Sequence, residues 1–156
     1  SLDQVHHSLD MSAVNRAVDL LTQAKKIAFF GLGSSAAVAH DAMNKFFRFN
    51  VPVIYSDDIV LQRMSCMNCD DDDVVVIISH TGRTKSLVEL AQLARENDAM
   101  VIALTSAGTP LAREATLAIT LDVPEDAKFR DNLKRVKEAL KESRFDKEPF
   151  VPSDNQ

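Results

Sequence analysis

The fold is decided by the stretch KIAFFGLGSS at residues 26–35, in which an apolar run ends in a loop that contains two glycines. Buried strands of parallel sheets are nearly continuous apolar runs, and glycine with small polar residues marks the turn into the next element. The stretch DVVVIISHTGRT at residues 73–84 has the same design. We therefore expect two strand–loop–helix units, each with its loop at the carboxyl end of a strand.

Both loops have the composition of an anion-binding site. Backbone N–H groups in the first turn of a helix lack an intrahelical acceptor and carry partial positive charge, glycine allows close approach, and hydroxyls add donors. A plain helix cap is the alternative for the serines, and Thr84 is expected to act as a cap as well. We predict a phosphate site formed by Gly33, Ser34, Ser35, Ser79, His80, Thr81, Gly82, Arg83 and Thr84.

The charged residues of the second loop have two interpretations. Arg83 and Lys85 would offset the charge of a phosphate or carboxylate, and a solvated surface position is the alternative for both. His80 lies inside the loop and is expected to touch the ligand, with a structural role as its alternative.

The remaining sequence alternates between strand and helix patterns. Five strands over about a hundred residues predict an α/β fold with a doubly wound, five-stranded parallel sheet of the flavodoxin-like class. In the strand order 2-1-3-4-5, the loops after strands one and three diverge and open a crevice. Strands are expected at 26–30, 51–55, 74–78, 100–104 and 116–121, and helices at 12–24, 34–47, 58–67, 87–95 and from residue 109.

Length and charge narrow the class of protein. A chain of 156 residues with 46% hydrophobic content fits one domain. The net charge of -5 argues against direct attraction to nucleic acid. The apolar runs fall short of the ~20 residues that span a bilayer, so we expect a cytoplasmic protein without a membrane partner. No cofactor is expected.

Three further segments carry weaker signals. Cys66 and Cys69 form a lone C-x-x-C that nothing completes into a zinc or redox site, so we expect ordinary reduced thiols. The acidic run 70–73 fits no calcium loop and is expected to be a solvated turn, so no metal site is predicted. The basic segment 128–144 predicts a helix that docks on its own domain or on a partner subunit, with nucleic-acid contact as a minor alternative.

The two loops together resemble the phosphosugar-binding loops of the sugar isomerase (SIS) domain. Residues Ser79 to Thr84 match that family's pattern Ser-x-Ser/Thr-Gly-x-Thr. Segments 30–58 and 79–124 are similar to the effector domain of HexR-type members of the RpiR family of bacterial transcription factors. The resemblance implies a non-catalytic, homodimeric domain that senses a phosphorylated sugar acid, 2-keto-3-deoxy-6-phosphogluconate in HexR-type members, and regulates carbohydrate metabolism.

The resemblance also implies parts that are not seen in this sequence. The family binds DNA through a helix-turn-helix domain that precedes the SIS domain, so residues 1–156 are expected to be a single SIS effector domain, with DNA contacted only through the missing N-terminal domain. The family places another helix, used in dimer packing, where Asp126 runs directly into Ala127. We expect residues to be missing between these two positions.

Two other functions compete with a sensor. The pattern Gly31-x-Gly33-x-x-Ala36 also fits the dinucleotide fingerprint, with Asp57 or Asp58 as the ribose-binding acid, but it leaves the second loop unexplained. A phosphosugar isomerase would need a general base. Neither loop contains a carboxylate, and His80 is the one candidate base, so we expect no catalytic residue and no enzyme activity.

Overall fold

The structure is a computed structural model that describes residues 11–46, 51–120 and, further on, 131, 132, 134–136, 138 and 139. The helices that it assigns bounds are α1 (Met11–Gln23), α2 (Ser34–Phe46), α3 (Ile59–Met67), α4 (Lys85–Glu96) and α5 (Pro110–Glu114). The strands are β1 (Lys26–Gly31), β2 (Val53–Ser56), β3 (Asp73–Ser79), β4 (Met100–Thr105) and β5 (Leu117–Thr120).

The five strands form one parallel sheet in the order β2-β1-β3-β4-β5, so the predicted fold class and strand order are both confirmed. β1 and β3 are neighbours, and their pairing sets Gly31 opposite Ile78. The pairing of β3 with β4 sets Ser79 opposite Thr105. The strands β1, β3 and β4 therefore end at nearly the same level, and the loops that follow them begin side by side.

Helices cover both faces of the sheet. One buried cluster contains side chains of α1 and α2, and the other contains side chains of α3, α4 and α5. Neighbouring residues of β1 face opposite ways, since Phe29 belongs to the first cluster and Phe30 to the second. The loop after β1 leads to the first face and the loop after β3 to the second, so the two loops diverge as the doubly wound topology requires.

Amphipathic patterning explains which helix faces are buried. In α4, the apolar residues at helical spacing form one stripe that is buried throughout, and it comprises Leu87, Leu90, Ala91 and Ala94. The described residues of the basic segment are helical, and Val136 is fully buried in the cluster with α1 and α2. This contact confirms docking on the chain's own domain. Helical spacing predicts that Phe129, Leu133 and Leu140 lie on the same face of this segment as Val136, but these three lie outside the residues whose burial the structure describes.

The opposite edge of the sheet carries the acidic run. Asp73 is buried, and its Oδ2 lies 3.7 Å from Nζ of Lys26. Asp70 Oδ1 accepts a hydrogen bond of 2.9 Å from the backbone N–H of Asp72, and both residues are exposed, as expected of a solvated turn. Asp73 departs from that expectation because it is the first residue of β3. None of the described helices is long and apolar enough to cross a membrane.

Candidate functional site

The first loop joins β1 directly to α2. A Cβ on Gly31 would lie 2.7 Å from the carbonyl oxygen of Ser35, so only glycine permits this close approach of strand and helix. Gly33 has a φ of +60°, which also favours glycine. The backbone N–H groups of Ser35 and Ala36 already donate to the carbonyls of Leu32 and Gly33, at 3.2 and 3.1 Å. With these two N–H groups engaged, the loop still offers the hydroxyls of Ser34, which is exposed, and Ser35, which is half-buried.

The second loop is shaped by its own hydroxyls. Ser79 ends β3 and is buried, and its Oγ accepts a hydrogen bond of 3.1 Å from the backbone N–H of Gly82. Thr81 is exposed, and its Oγ1 accepts a hydrogen bond of 3.3 Å from the N–H of Arg83. Gly82 has a φ of +60°. These bonds fold the loop over the end of β3 and lead it into α4.

The start of α4 differs from our expectation. Thr84 occupies the N-cap position, but its side chain accepts no hydrogen bond from the helix, so the prediction of a side-chain cap is wrong. The N–H of Leu87, one of the two amides that a cap normally takes, donates instead to the backbone carbonyl of Thr84 at 3.0 Å. The hydroxyl of Thr84, which is exposed, is therefore uncommitted to the helix.

Residues after β4 brace the second loop, and the sequence interpretation missed them. The carbonyl of His80 accepts hydrogen bonds from the hydroxyl of Ser106 at 2.8 Å and from its backbone N–H at 3.3 Å. The carbonyl of Gly82 accepts one of 3.0 Å from the N–H of Leu111. A Cβ on Gly82 would collide with the hydroxyls of Thr105 and Thr109. The available signal was a third polar turn, 105–109, at the carboxyl end of a neighbouring strand.

Gln62 of α3 was also missed. It is fully buried, and its Nε2 donates to the carbonyl oxygens of Ser56 at 2.7 Å and Gly31 at 3.2 Å. The amide therefore ties the ends of β1 and β2 together, next to the first loop. The available signal was a polar residue four positions before the buried Cys66, on the inward face of a predicted helix.

The charged candidates lie at the surface. Arg83 and Lys85 are exposed, and within the described part of the chain neither has an ion-pair partner. The His80 side chain is half-buried. The sheet register brings all the predicted residues to one edge, in two loops that follow neighbouring strands.

The acids of the dinucleotide alternative have different surroundings. Asp58 Oδ1 accepts hydrogen bonds from the backbone N–H groups of Val60 at 2.8 Å and Leu61 at 3.2 Å, so this carboxylate caps α3. Asp57 is exposed just after β2. The capping bonds give Asp58 a structural role that needs no ribose.

The C-x-x-C cysteines have no disulfide and are buried. Cys69 donates from Sγ to the carbonyl oxygen of Cys66 at 2.9 Å. Burial, followed by the nearby Cys69 thiol, raises the pKa of Cys66 from 9.0 to about 12, and burial also raises the pKa of Cys69. Both thiols are therefore protonated at neutral pH and are poor nucleophiles.

The parallel sheet of this order, covered by helices on both faces, defines a doubly wound α/β domain with polar loops at its switch point. The chain belongs to the SIS domain family, whose match extends over residues 20–137.

Two of the relatives are transcriptional regulators by name. The chain is 75% identical over 185 aligned positions to the HTH-type transcriptional regulator HexR of Escherichia coli (strain K12), a match covering 100% of this chain and 64% of that protein. It is 55% identical over 126 positions to the regulator of the same name from Pseudomonas aeruginosa, covering 81% of this chain and 44% of that protein. The chain thus spans less than two thirds of each relative, and its recognition as a HexR-type SIS domain is confirmed.

Solved structures share the fold. The Vibrio vulnificus NanR protein complexed with ManNAc-6P superposes with a TM-score of 0.81 at 25% identity, over 97% of this chain and 61% of that one. The sugar isomerase domain of an RpiR transcription factor from Sphaerobacter thermophilus superposes with a TM-score of 0.75 at 17% identity, over 90% of this chain and 83% of that one. The second likeness supports the fold alone.

Proposed function

We propose that this SIS domain binds a phosphorylated sugar acid and thereby controls a DNA-binding regulator of carbohydrate metabolism. The expected ligand is 2-keto-3-deoxy-6-phosphogluconate or a closely similar compound. The observation that carries the proposal is the position of the two hydroxyl-rich loops, which leave the adjacent ends of β1 and β3 toward opposite faces. This is the place where ligands bind in open α/β sheets.

The second loop supplies the stronger part of the phosphate site. α4 has 12 residues, and its first turn presents N–H groups and the positive end of the helix dipole to the crevice. Thr84 adds a hydroxyl that the helix does not use. Ser79 and Gly82 hold the loop in shape, and Ser34 and Ser35 add hydroxyls from the opposite side. A phosphate between the loops would be bound by hydrogen bonds to charged oxygens, which are stronger than neutral ones.

The comparisons support a sugar phosphate as the ligand class. NanR, which shares the fold over almost the whole of this chain, is described in complex with ManNAc-6P. The HexR proteins are named as regulators. The preference for an acid sugar phosphate rests on the resemblance to HexR-type members. Arg83 in the second loop and Lys85 directly after it are cations that could offset the charge of the acid.

A binding role fits this site better than catalysis. Proton transfer on a sugar needs a base with a suitable pKa close to the substrate carbons. The two loops contribute hydroxyls, amides and the His80 ring, but no carboxylate. Cys66 is held protonated within the core on α3. We therefore propose a sensor without turnover.

Ligand binding would act on DNA through the arrangement of subunits. A ligand shifts an equilibrium between two arrangements only by its difference in affinity for them. We propose a homodimer, and α3 offers a surface for it. Its side chains Val60, Leu61, Met64 and Met67 are each more than half exposed, although they are large and apolar.

The domain organisation is part of the same proposal. We infer that DNA is contacted by a segment found in the longer relatives, and that the whole regulator acts in the cytoplasm. The alignment with the E. coli protein runs over 185 positions, whereas this chain has 156 residues. At least 29 residues of that protein therefore have no counterpart in this chain. This difference supports missing residues, which we assign to the junction of Asp126 and Ala127.

A thermal-shift panel tests the ligand class. Phosphorylated sugar acids, neutral sugar phosphates, NAD and NADP are compared at matched concentrations. A specific ligand at ~100 times its Kd stabilises the fold by about 2.7 kcal/mol, which gives a shift of several degrees. A shift with dinucleotides alone would reject the proposal that the domain senses a sugar phosphate. Steady conversion of a ketose phosphate into its aldose would show that the domain is an enzyme.

A further inference from the structure

Gln62 holds a buried acceptor that nothing in the described part of the chain satisfies. Its Nε2 makes both of its possible donations, to the carbonyls of Ser56 and Gly31. Its Oε1 is buried and has no hydrogen-bond partner. The orientation of the amide follows from these bonds, because the reversed amide would set Oε1 against two carbonyl oxygens.

An unpaired amide oxygen inside a protein is costly and therefore rare. Leaving a buried polar group without a partner typically costs ~1–3 kcal/mol, and such a group calls for an explanation. Gln62 could be replaced by an apolar residue if it served only to fill the core. The two Nε2 bonds account for the amide nitrogen, and they leave Oε1 as a buried acceptor that could take one further donor.

The position of this amide connects it to the candidate site. Gly31 is the last residue of β1 and directly precedes the first loop, so the Gln62 amide sits at the carboxyl edge of the sheet. The loop after β1 leads to the face covered by α2, whereas Gln62 belongs to α3 on the other face. The end of β1 is thus approached by the loop from one face and by Gln62 from the opposite one.

We propose that Gln62 Oε1 accepts a hydrogen bond from a hydroxyl of the bound sugar phosphate, so that Gln62 reads the sugar while the two loops hold the phosphate. This inference rests on the proposed function and names a specificity residue for it. A hydroxyl suits Oε1 because the oxygen can only accept, and a ligand carboxylate placed there would be repelled. The donors of the phosphate site lie in the loops that follow β1 and β3. Gln62 instead lies at the ends of β1 and β2, so it would contact another part of the same ligand.

The test compares two probes on the full chain and on Gln62→Met, which keeps the length of the side chain and removes its amide. The probes are 2-keto-3-deoxy-6-phosphogluconate and inorganic phosphate, titrated by calorimetry. We expect Gln62→Met to weaken sugar-phosphate binding by about 2- to 13-fold, the value of one neutral hydrogen bond, and to leave inorganic phosphate binding unchanged. Gln92→Met, the same change at an exposed site on α4, is the matched control.

Other results distinguish failure of the role proposed for Gln62 from failure of the proposed function. Equal weakening of both probes, or of neither, would overturn the role of Gln62 and leave the phosphate site standing. Binding of neither probe by the unaltered chain would reject the proposed function itself. Loss of stability without loss of affinity would mean that Gln62 acts only through the Nε2 bonds to Gly31 and Ser56, and it would also overturn the proposal.

A second measurement avoids substitution, since Gln62→Met also leaves two carbonyls unpaired and could unfold. The side-chain amide resonances of Gln62 are followed by NMR in the unaltered chain during both titrations. We expect them to shift with the sugar phosphate and to stay in place with inorganic phosphate. Unchanged resonances at saturation with the sugar phosphate would contradict a hydrogen bond to Oε1.

Discussion

The hydroxyl oxygen of Ser79 accepts a hydrogen bond from the backbone N–H of Gly82 at 3.1 Å, and this bond closes the second loop. The loop is also attached from outside, since the carbonyl of Gly82 accepts from Leu111 and the carbonyl of His80 accepts from Ser106. A ligand would therefore meet donors that are already held in position, which reduces the ordering cost of binding.

The two loop glycines are expected to tolerate alanine very differently. Both have a φ of +60°, so each substitution should cost about 1–2 kcal/mol for the left-handed backbone. A Cβ on Gly33 meets no atom within 4 Å, whereas a Cβ on Gly82 collides with the hydroxyls of Thr105 and Thr109. Gly82→Ala should therefore cost a further ~1–3 kcal/mol. Chemical denaturation measures the difference, and equal free energies of unfolding would contradict the packing of the second loop.

The serines are expected to separate binding from folding. Ser35→Ala should weaken sugar-phosphate binding by roughly ten- to a hundred-fold, because a hydrogen bond to a charged group contributes ~1.5–3 kcal/mol. Ser79→Ala should weaken binding as well, and it should also cost about 1 kcal/mol of stability through the lost bond to Gly82. Calorimetry and denaturation on the same samples check both values. If both variants lose stability and keep full affinity, the loops are structural turns only.

Thr84→Ala should affect affinity rather than stability. The side chain of Thr84 makes no capping bond, so its removal should change the free energy of unfolding by less than about 0.5 kcal/mol. Thr109 is the control, because its side chain does accept from the N–H of Ala112 at 3.2 Å, and Thr109→Ala should cost about 1 kcal/mol. If Thr84→Ala lost as much stability as Thr109→Ala, the Thr84 side chain would have to cap α4, which would contradict this prediction.

Because burial raises the pKa of Cys66, the free energy of unfolding should depend on pH in the alkaline range. The pKa of Cys66 is raised from 9.0 to about 12 in the folded chain, so the folded state holds this proton more tightly than the unfolded state. Its contribution to stability is complete below pH 9 and is lost as the pH rises toward 12. Denaturation at several alkaline pH values should show a steeper decline for the unaltered chain than for Cys66→Ala. Parallel declines would contradict the burial of this thiol.

The exposed face of α3 should control self-association. Leu61→Lys combined with Met64→Lys introduces charge on exposed positions and should leave the fold intact. Burial of apolar side chains drives association, so the double variant should sediment as a monomer where the unaltered chain is a dimer. Met11→Lys, at a position that is 49% exposed on α1, is the control. A double variant that remains dimeric would place the interface elsewhere, and an unaltered chain that is always monomeric would reject the homodimer.

Local patterns were sufficient to predict the sheet and the location of the loops. The run of β-branched residues 74–78 indicated a strand covered on both faces, and every residue of β3 is indeed buried. The bonds that brace the site could not be predicted in the same way. Ser106 and His80 are 26 positions apart, and Gln62 and Gly31 are 31 apart, so these contacts depend on the assembled sheet.

The prediction that the Thr84 side chain caps α4 was wrong for a local reason. Threonine is favoured at helix starts, but the preference does not fix which oxygen takes the amide of Leu87. In the structure the backbone carbonyl of Thr84 takes it, and the hydroxyl is left for another partner. A residue type can therefore mark a helix start correctly and still leave the role of its side chain undetermined.

The most direct test of the central claim is a crystal structure of this chain grown with 2-keto-3-deoxy-6-phosphogluconate. We predict electron density for the phosphate between the two loops, with its oxygens about 3 Å from N–H groups of the first turn of α4 and from the hydroxyls of Ser34 and Ser35. Density for the ligand at any other part of the surface, or empty loops at a saturating concentration, would contradict the account.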